Sequence, residues 1–405
     1  MTPKPALSRF GEPRGLLIGG IAAGVAGVMA DLLSPIYATS FHKGFGLTNT
    51  EAGFLVTAAL GMMAVSEFGL AHSIGHRNLK HVTTWGVALS CVALLYISEV
   101  SDNGFWSLFV GMAVLGLGCG LSFVAGNAAL SFAGNSERAF GLLTFWYMIF
   151  VFVMMSTNPV LRQMYPIVLP YAAMVAVQLL CLALVWWKLP DTQELAAQRA
   201  AALTDGAGTA ETRELALFSP LPVLLGLAVT LSQLSVAGLW TFAQELGDTA
   251  GLSSQTTATF LGVSQLIGLL GALAPWLLGP LVGRGALGAA GFLLAAVGIL
   301  MVGLVHTPAG YIAGNLAVNL GYWVTLPLAL SVASDLDRDG GRLVAFMLGM
   351  SSVGLALGPS LAGPLLGGTD TTLGAWVFGV LGLAAVPLII APAVAADRAV
   401  PPRSG

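Results

Sequence analysis

Two carboxylates stand where acidic side chains are costly. Asp31 lies in AGVMADLLSP, inside a run from Gly15 to Phe41 with no other charged residue. Glu67 lies in AVSEFGLA, near the end of a second apolar run. An ionised carboxylate at the centre of a bilayer costs at least ~2.5 kcal/mol and faces protein or a water-filled path, not lipid. Burial raises a carboxyl pKa toward neutrality, so such a group is able to load and release a proton. Gly20, Gly24, Gly27 and Asp31 recur at i, i+4, i+7 and i+11, on one helix face. Glycines let neighbouring helices approach, so this face packs on protein or lines a cavity. Asp31 then reads either as a proton carrier or as a packing group bonded to a neighbouring hydroxyl or amide. Gly53, Thr57, Leu60, Ala64 and Glu67 share a similar face. Glu67 would pair with Arg77, Lys80, Arg138 or Arg342 as part of an inner gate, or carry protons itself.

Polar and aromatic side chains recur in three other apolar stretches and in the run that holds Asp31. Gln233, Trp240 and Gln244 share one face; Asn315, Asn319 and Tyr322 share another, with Trp323 beside it. Asn127 and Tyr37 are further polar groups within apolar runs. Amides with aromatic rings suit a mostly apolar substrate that makes a few hydrogen bonds. The competing reading is interhelical hydrogen bonding, worth ~0.6 kcal/mol per bond on average. No Lys or Arg falls within 15–40, 105–132, 218–244 or 308–333. An acidic path with aromatic walls favours a cationic or neutral lipophilic substrate over an anion. Cys91, Cys119 and Cys181 are scattered and give no disulfide framework or metal spacing. GLGCG lies inside an apolar run with no strand before it, so it is packing and not a nucleotide loop. The chain carries no phosphate loop, HExxH or G-x-S-x-G. No cofactor and no enzyme activity are expected.

The elements that hold these residues follow from composition. The 405 residues are 56% hydrophobic and 9% charged, with mean hydropathy +0.86. Soluble domains carry about 25% charge, so lipid must cover much of this surface. The net charge of −3 offers nothing to nucleic acid. A spanning helix needs about 20 apolar residues. Twelve runs qualify: 15–40, 50–71, 81–99, 105–132, 138–160, 166–187, 218–244, 253–282, 286–304, 308–333, 342–367 and 372–396. Long runs with short polar loops predict an all-α integral membrane protein, not a barrel of ~10-residue strands. The basic MTPKPALSRFGEPRG precedes a run too long for a signal peptide, so the first helix is expected to be retained. With the N-terminus inside, only Lys43 and Arg162 of the 16 Lys and Arg fall outside. The bias sets both termini in the cytoplasm. Residues 190–215, PDTQELAAQRAAALTDGAGTAETREL, read as a cytoplasmic linker, partly helical, that divides the spans six and six.

The two halves match weakly at corresponding places. GLTNTEAGFLVTAALGMM from Gly46 and GLSSQTTATFLGVSQLIG from Gly251 each open the second span of a half. Thr48 and Glu51 have capping-box spacing, and Ser253 is placed to cap the sister helix. LGCGLSFVAGNAALSFAGNSERAF and LGYWVTLPLALSVASDLDRDGGRLVAF correspond near spans 4 and 10. Parallel repeats of this kind mark transporters. Here the chain resembles the major facilitator superfamily over nearly its whole length. That family's loop G-x-L-A-D-R-x-G-R-R is matched by FGLAHSIGHR at Leu70, Ala71, Gly75 and Arg77, with His72 for Asp and Ser73 for Arg. The sister loop GPLVGRG matches at Gly279, Leu281 and Arg284, with Gly283 for Asp. Met112 stands where proton antiporters of the family often have Arg, and Asn158-Pro159 where they have Gly-Pro. A Gly-Pro string, GLALGPSLAG, occurs near Gly354 instead.

The resemblance implies twelve transmembrane helices in two pseudo-symmetric six-helix halves, residues 1–188 and 218–405, joined by a linker at 189–217. It implies alternating access around a central cavity lined by helices 1, 4, 7 and 10, with Gly75, Arg77, Gly279 and Arg284 in gating loops. Asp31 and Glu67 become the proton-coupling candidates. Tyr37, Asn127, Gln233, Trp240, Gln244, Asn315, Asn319, Tyr322 and Trp323 become the substrate-binding ones. The expected activity is proton-coupled export of a small cationic or neutral amphipathic compound, driven by the proton gradient. The alternatives are proton-coupled uptake of an organic nutrient such as an aromatic acid or sugar, and a non-transporting membrane sensor. His72, His76 and His81 crowd one loop, read as solvated or as pH-sensing. A functional monomer in a bacterial inner membrane is expected.

Overall fold

A computed structural model of the chain describes residues 14–71, 74, 77–99, 104–132, 136–191, 219–336, 342–366 and 370–399. Among these residues every regular element is helical and no strand occurs. Spans 2 to 6 are Asn49–Ala71, Leu79–Glu99, Gly104–Ser131, Ser136–Met164 and Val168–Lys188. Spans 8 to 12 are Ser254–Val282, Arg284–Leu304, Pro308–Leu336, Arg342–Leu366 and Thr372–Ala399. Eleven helices among the described residues are long and apolar enough to cross a membrane. At 1.5 Å per residue, a helix of about 20 residues covers the ~30 Å hydrocarbon core. Of the expected linker, only residues 189–191 are described. Gly75, His72 and His76 also lie outside the described residues. His81 is not in a loop: it belongs to span 3, edge-on to Trp186 at 5.8 Å.

Two expected spans are not single helices. Span 1, read as one helix over 15–40, is built of Arg14–Gly27, Met29–Leu32 and Ser34–Thr39, followed by a π-helical turn, Ser40–Gly44. Hydrogen bonding runs on through Val28, whose N–H reaches Gly24 at 2.9 Å and whose carbonyl accepts from Leu32 at 3.0 Å. The break comes at Leu33, with backbone angles of −96° and 11°. Its cause is Pro35, which has no N–H for the carbonyl four residues earlier. That carbonyl belongs to Asp31. Span 7, read as 218–244, is Pro220–Thr241, and a separate short helix, Ala243–Thr249, follows Phe242. Phe242 leaves helical values at −103° and 11°. Gln244 therefore does not share one continuous helix face with Gln233 and Trp240.

The described residues group into two compact units. Unit 1 falls within Met1–Leu32, Met62–Phe150 and Met164–Ala210; unit 2 within Leu33–Gly61, Val151–Gln163 and Glu211–Gly405. In unit 1, close glycine contacts hold the helices. A Cβ at Gly118 of span 4 would lie 2.5 Å from the Gly86 carbonyl of span 3. One at Gly126 would strike Gly24 of span 1. Unit 2 repeats the device, with Gly358 of span 11 against Gly238 of span 7. Unit 2 also packs residues 33–61 and 151–163 onto the C-terminal spans. The Ser360 N–H of span 11 donates to Thr57 of span 2 at 2.9 Å, and Gly262 of span 8 lies against Phe152 of span 5. Both predicted helix starts are capped. The Thr48 N–H donates to Glu51 at 2.8 Å while the Glu51 N–H donates to Thr48 at 3.2 Å. Ser253 accepts from the Thr256 N–H at 3.1 Å. Trp106, at the start of span 4, and Trp187, at the end of span 6, are exposed, as rings at a membrane–water boundary are.

Gly118 and Gly61 give a test of the packing. Gly118→Val should cost about 1–3 kcal/mol by overpacking. Gly61 has nothing within 4 Å, so Gly61→Ala should leave the melting temperature unchanged or raise it. Thermal melts of both variants in detergent check the pair; equal losses would sink the account of span 3–span 4 packing.

Candidate functional site

The carboxylate cluster is assembled within unit 1. Asp31 is half-buried. Its glycine face lies against spans 4 and 5, as the sequence spacing implies. A Cβ at Gly20 would strike Leu130, and one at Gly24 would lie 2.9 Å from the Tyr147 hydroxyl of span 5. Tyr147 is buried and within electrostatic reach of both Asp31 and Glu67, with Asn127 of span 4 beside it. The Asn127 amide donates to the Phe123 carbonyl at 2.8 Å, which turns it toward its own helix. So Asp31, Glu67 and Asn127 all lie within reach of Tyr147, the member that sequence spacing missed. Among the described residues, the Asp31 carboxylate makes no hydrogen bond or ion pair. Its own backbone carbonyl is also left without the helical N–H that Pro35 lacks. The Pro35 signal was present in SPIYATS and identifies the joint.

The other candidates lie in unit 2. The Gln233 amide donates to Ser351 of span 11 at 2.7 Å, while its oxygen is enclosed without a partner. A small recess beside it is lined by Val229, Ser232, Phe292, Thr325 and Leu326. Asn315 donates to the Tyr311 carbonyl at 3.0 Å; Asn319 donates to the Asn315 carbonyl at 3.0 Å and to Ser264 of span 8 at 3.3 Å. Trp323 donates to Gln265 at 3.3 Å and stands edge-on to Tyr322 at 5.1 Å. Trp240 and Tyr37 are buried. Gln244 accepts from Thr39 at 3.5 Å. These amides make bonds within and between helices. Tyr311, another residue the spacing missed, donates to the Ala243 carbonyl at 2.7 Å, where span 7 breaks.

A family model, Major Facilitator Superfamily, matches residues 19–359. The chain belongs to the Major Facilitator Superfamily. It is a multi-pass membrane transporter with a small-molecule substrate and a lipid bilayer as its surroundings. Solved structures of the same fold include a D-xylose-proton symporter, at 15% identity and TM-score 0.67, covering 93% of this chain and 94% of that one. A peptide transporter, POT, in complex with sulfate is 15% identical with TM-score 0.72 and 96% of each chain covered. The nucleoside transporter NupG is 12% identical with TM-score 0.67, covering 96% and 100%. No curated protein matches the sequence.

One loop of the superfamily is rebuilt here. Gly283 occupies the position of the family's usual acid. Asp397, at the end of span 12, supplies a carboxylate in its place. It accepts from the Arg284 N–H at 3.2 Å and lies 3.4 Å from the Arg284 guanidinium. Gly283 holds φ at +79°, a backbone region that suits glycine and brings Arg284 to the acid. Gly279 has open space around it. In the sister loop the Arg77 N–H donates to the Ile74 carbonyl at 3.1 Å.

The joint in span 1 is testable. Pro35→Ala restores an N–H for the Asp31 carbonyl. The variant should melt higher, show slowed amide exchange at residue 35, and turn over several-fold more slowly. Rapid exchange at that amide would mean that proline does not cause the break.

Proposed function

We propose that the protein is a proton-coupled exporter of a small cationic or neutral amphipathic compound. Two six-helix halves, 1–188 and 218–405, alternate access to a site that includes Asp31. The observation that carries this reading is the Asp31 carboxylate, which has no hydrogen-bond or ionic partner among the described residues. A packing carboxylate would be bonded to a hydroxyl or amide. One without a partner in a span is costly unless it binds a cation in its working cycle. Proton and substrate compete for it. Protonation of Asp31 from outside releases substrate there; loss of the proton to the cytoplasm restores the charge that binds the next substrate. Each ligand shifts the inward–outward equilibrium only by its differential affinity for the two states. Glu67, sharing Tyr147 with Asp31, is a second station for the proton. The proton gradient supplies the energy and no cofactor is needed. The positive-charge bias supports cytoplasmic termini in a bacterial inner membrane, and a single chain contains both halves.

A second reading is proton-coupled uptake. Met112 and Asn158-Pro159 depart from the antiporter pattern, and one protein of the same fold is named a D-xylose-proton symporter. The same carboxylate would serve either direction.

Proteoliposomes separate the two. Export predicts that cationic or neutral compounds leave faster when protons flow the opposite way; uptake predicts accumulation along the proton flow. Asp31→Asn should reduce pH-driven transport to background, weaken binding of cationic compounds and remove its pH dependence, both read by thermal shift. Full pH-driven transport by that variant would remove Asp31 from the mechanism.

A further inference from the structure

Lys43 is one of two basic residues that the charge pattern sets on the outer side, and unit 2 gives it a role. The π-helical turn Ser40–Gly44 ends span 1 with His42 and Lys43. Beside it lies Ala243–Thr249, the short helix beyond span 7. Lys43 forms an ion pair with Asp248. The other Asp248 oxygen accepts from Ser254, at the start of span 8, at 3.3 Å. Thr39 and Gln244 join the same two segments one turn deeper. Glu245 is half-buried behind this latch. The titratable groups that face it are His42 and Lys43 from the end of span 1 and Asp248 from its own helix. From span 8, Thr257 lies against Gly247 of the same short helix. One Glu245 oxygen and the Thr257 hydroxyl are enclosed with no hydrogen-bond partner. Enclosed polar atoms without protein partners are ordinarily met by buried water.

We propose that Glu245 is a second proton-binding site, assembled when the ends of spans 1 and 7 close on each other, so that closure at this face takes up one proton. The proposal rests on the transporter reading above, and on its orientation for the word outer, but not on the role of Asp31. Lys43–Asp248 holds the segments together whether or not Glu245 carries charge. Closure strips Glu245 of water, which disfavours its ionised form. A hydrated glutamate titrates at about 4.3. In the closed latch, burial pushes Glu245 up to about 7; His42 and Lys43 pull it down and Asp248 pushes it up. The closed form therefore binds the proton more tightly than an opened, hydrated form does. By linkage, falling pH favours closure between about 7 and about 4.3. Above that window Glu245 is ionised in both forms, and burying its charge opposes closure. A proton arriving from outside would thus shut the face by which it entered.

The test is a distance between spin labels at Gly44→Cys and Thr249→Cys, exposed positions on the two segments of the latch. It uses the full-length protein with Cys91, Cys119 and Cys181 changed to Ser, after that background is shown to bind and melt as the native protein does. Otherwise unaltered, this protein should show the short-distance population rising several-fold from pH 8 to pH 5.5. Glu245→Gln should hold the short distance at both pH values. His42→Gln and Asp31→Asn should keep the step. Lys43→Met, which breaks the pair with Asp248 and removes a cation that favours ionised Glu245, should lower the short-distance population at pH 8 but steepen its rise on acidification, and serves if Glu245→Gln does not fold. A step that survives in Glu245→Gln, vanishes in His42→Gln, or is absent throughout overturns the proposal. A normal step in Asp31→Asn together with intact pH-driven transport would sink the Asp31 mechanism and leave this one standing.

Discussion

A peptide carbonyl released inside a bilayer has no water to turn to, and span 1 releases one at Asp31. Pro35 removes the N–H that would have met it. Freed backbone groups at membrane depth are tolerated only where protein or a water-filled cavity meets them. The Asp31 side chain makes the same demand. Backbone and side chain thus require a polar environment at one point, and the rest of span 1 is arranged around that point. Before it, Gly20, Gly24 and Gly27 press the helix onto spans 4 and 5 so closely that side chains are excluded. After it, Ser34–Thr39 and the π-helical turn belong to unit 2. The unit boundary falls between Leu32 and Leu33, at the break itself. A proline-broken segment is a natural joint, because fewer hydrogen bonds resist bending there.

The spans were legible because membrane depth imposes one rule on every residue in a run. Their ends fall within a few positions of the apolar boundaries, and both predicted caps form, since a cap depends only on residues three apart. The glycine face of Asp31 was legible for a similar reason: helical spacing is local. The break after Leu33 was also written in the chain, as a proline four residues beyond the acid, but it shows only when Asp31 and Pro35 are considered together. The break at Phe242 has no proline or glycine to announce it. It involves Tyr311, whose hydroxyl takes the Ala243 carbonyl from a span far along the chain. Tyr147 stayed hidden for the same reason, since nothing in an apolar stretch of span 5 announces a phenol within electrostatic reach of two carboxylates. The Asp397–Arg284 pair lies 113 positions apart and replaces an acid that the loop motif had lost. The amide faces were legible as faces, with Asn315 and Asn319 stacked as expected, but Ser264, the partner from span 8, was not.

Two acidic groups now stand in contrasting company, and the contrast bears on what each binds. Around Glu245 the protein supplies its own cation, Lys43, with the His42 imidazole beside it. An incoming cation there competes with groups already in place, and only a proton, which neutralises the carboxyl outright, changes the balance. Around Asp31, among the described residues, the neighbours are a phenol, an amide and close-packed glycines. No Lys or Arg falls within spans 1, 4, 7 and 10 as the sequence delimits them. Away from bulk water, an opposite charge is worth several times its value in solvent. An acid left without an internal cation keeps that attraction available to whatever enters, whether a proton or a positively charged substrate. An acid already supplied with cations does not. The same residue type is thus set for different partners at the two places, and the difference lies in which neighbours carry positive charge.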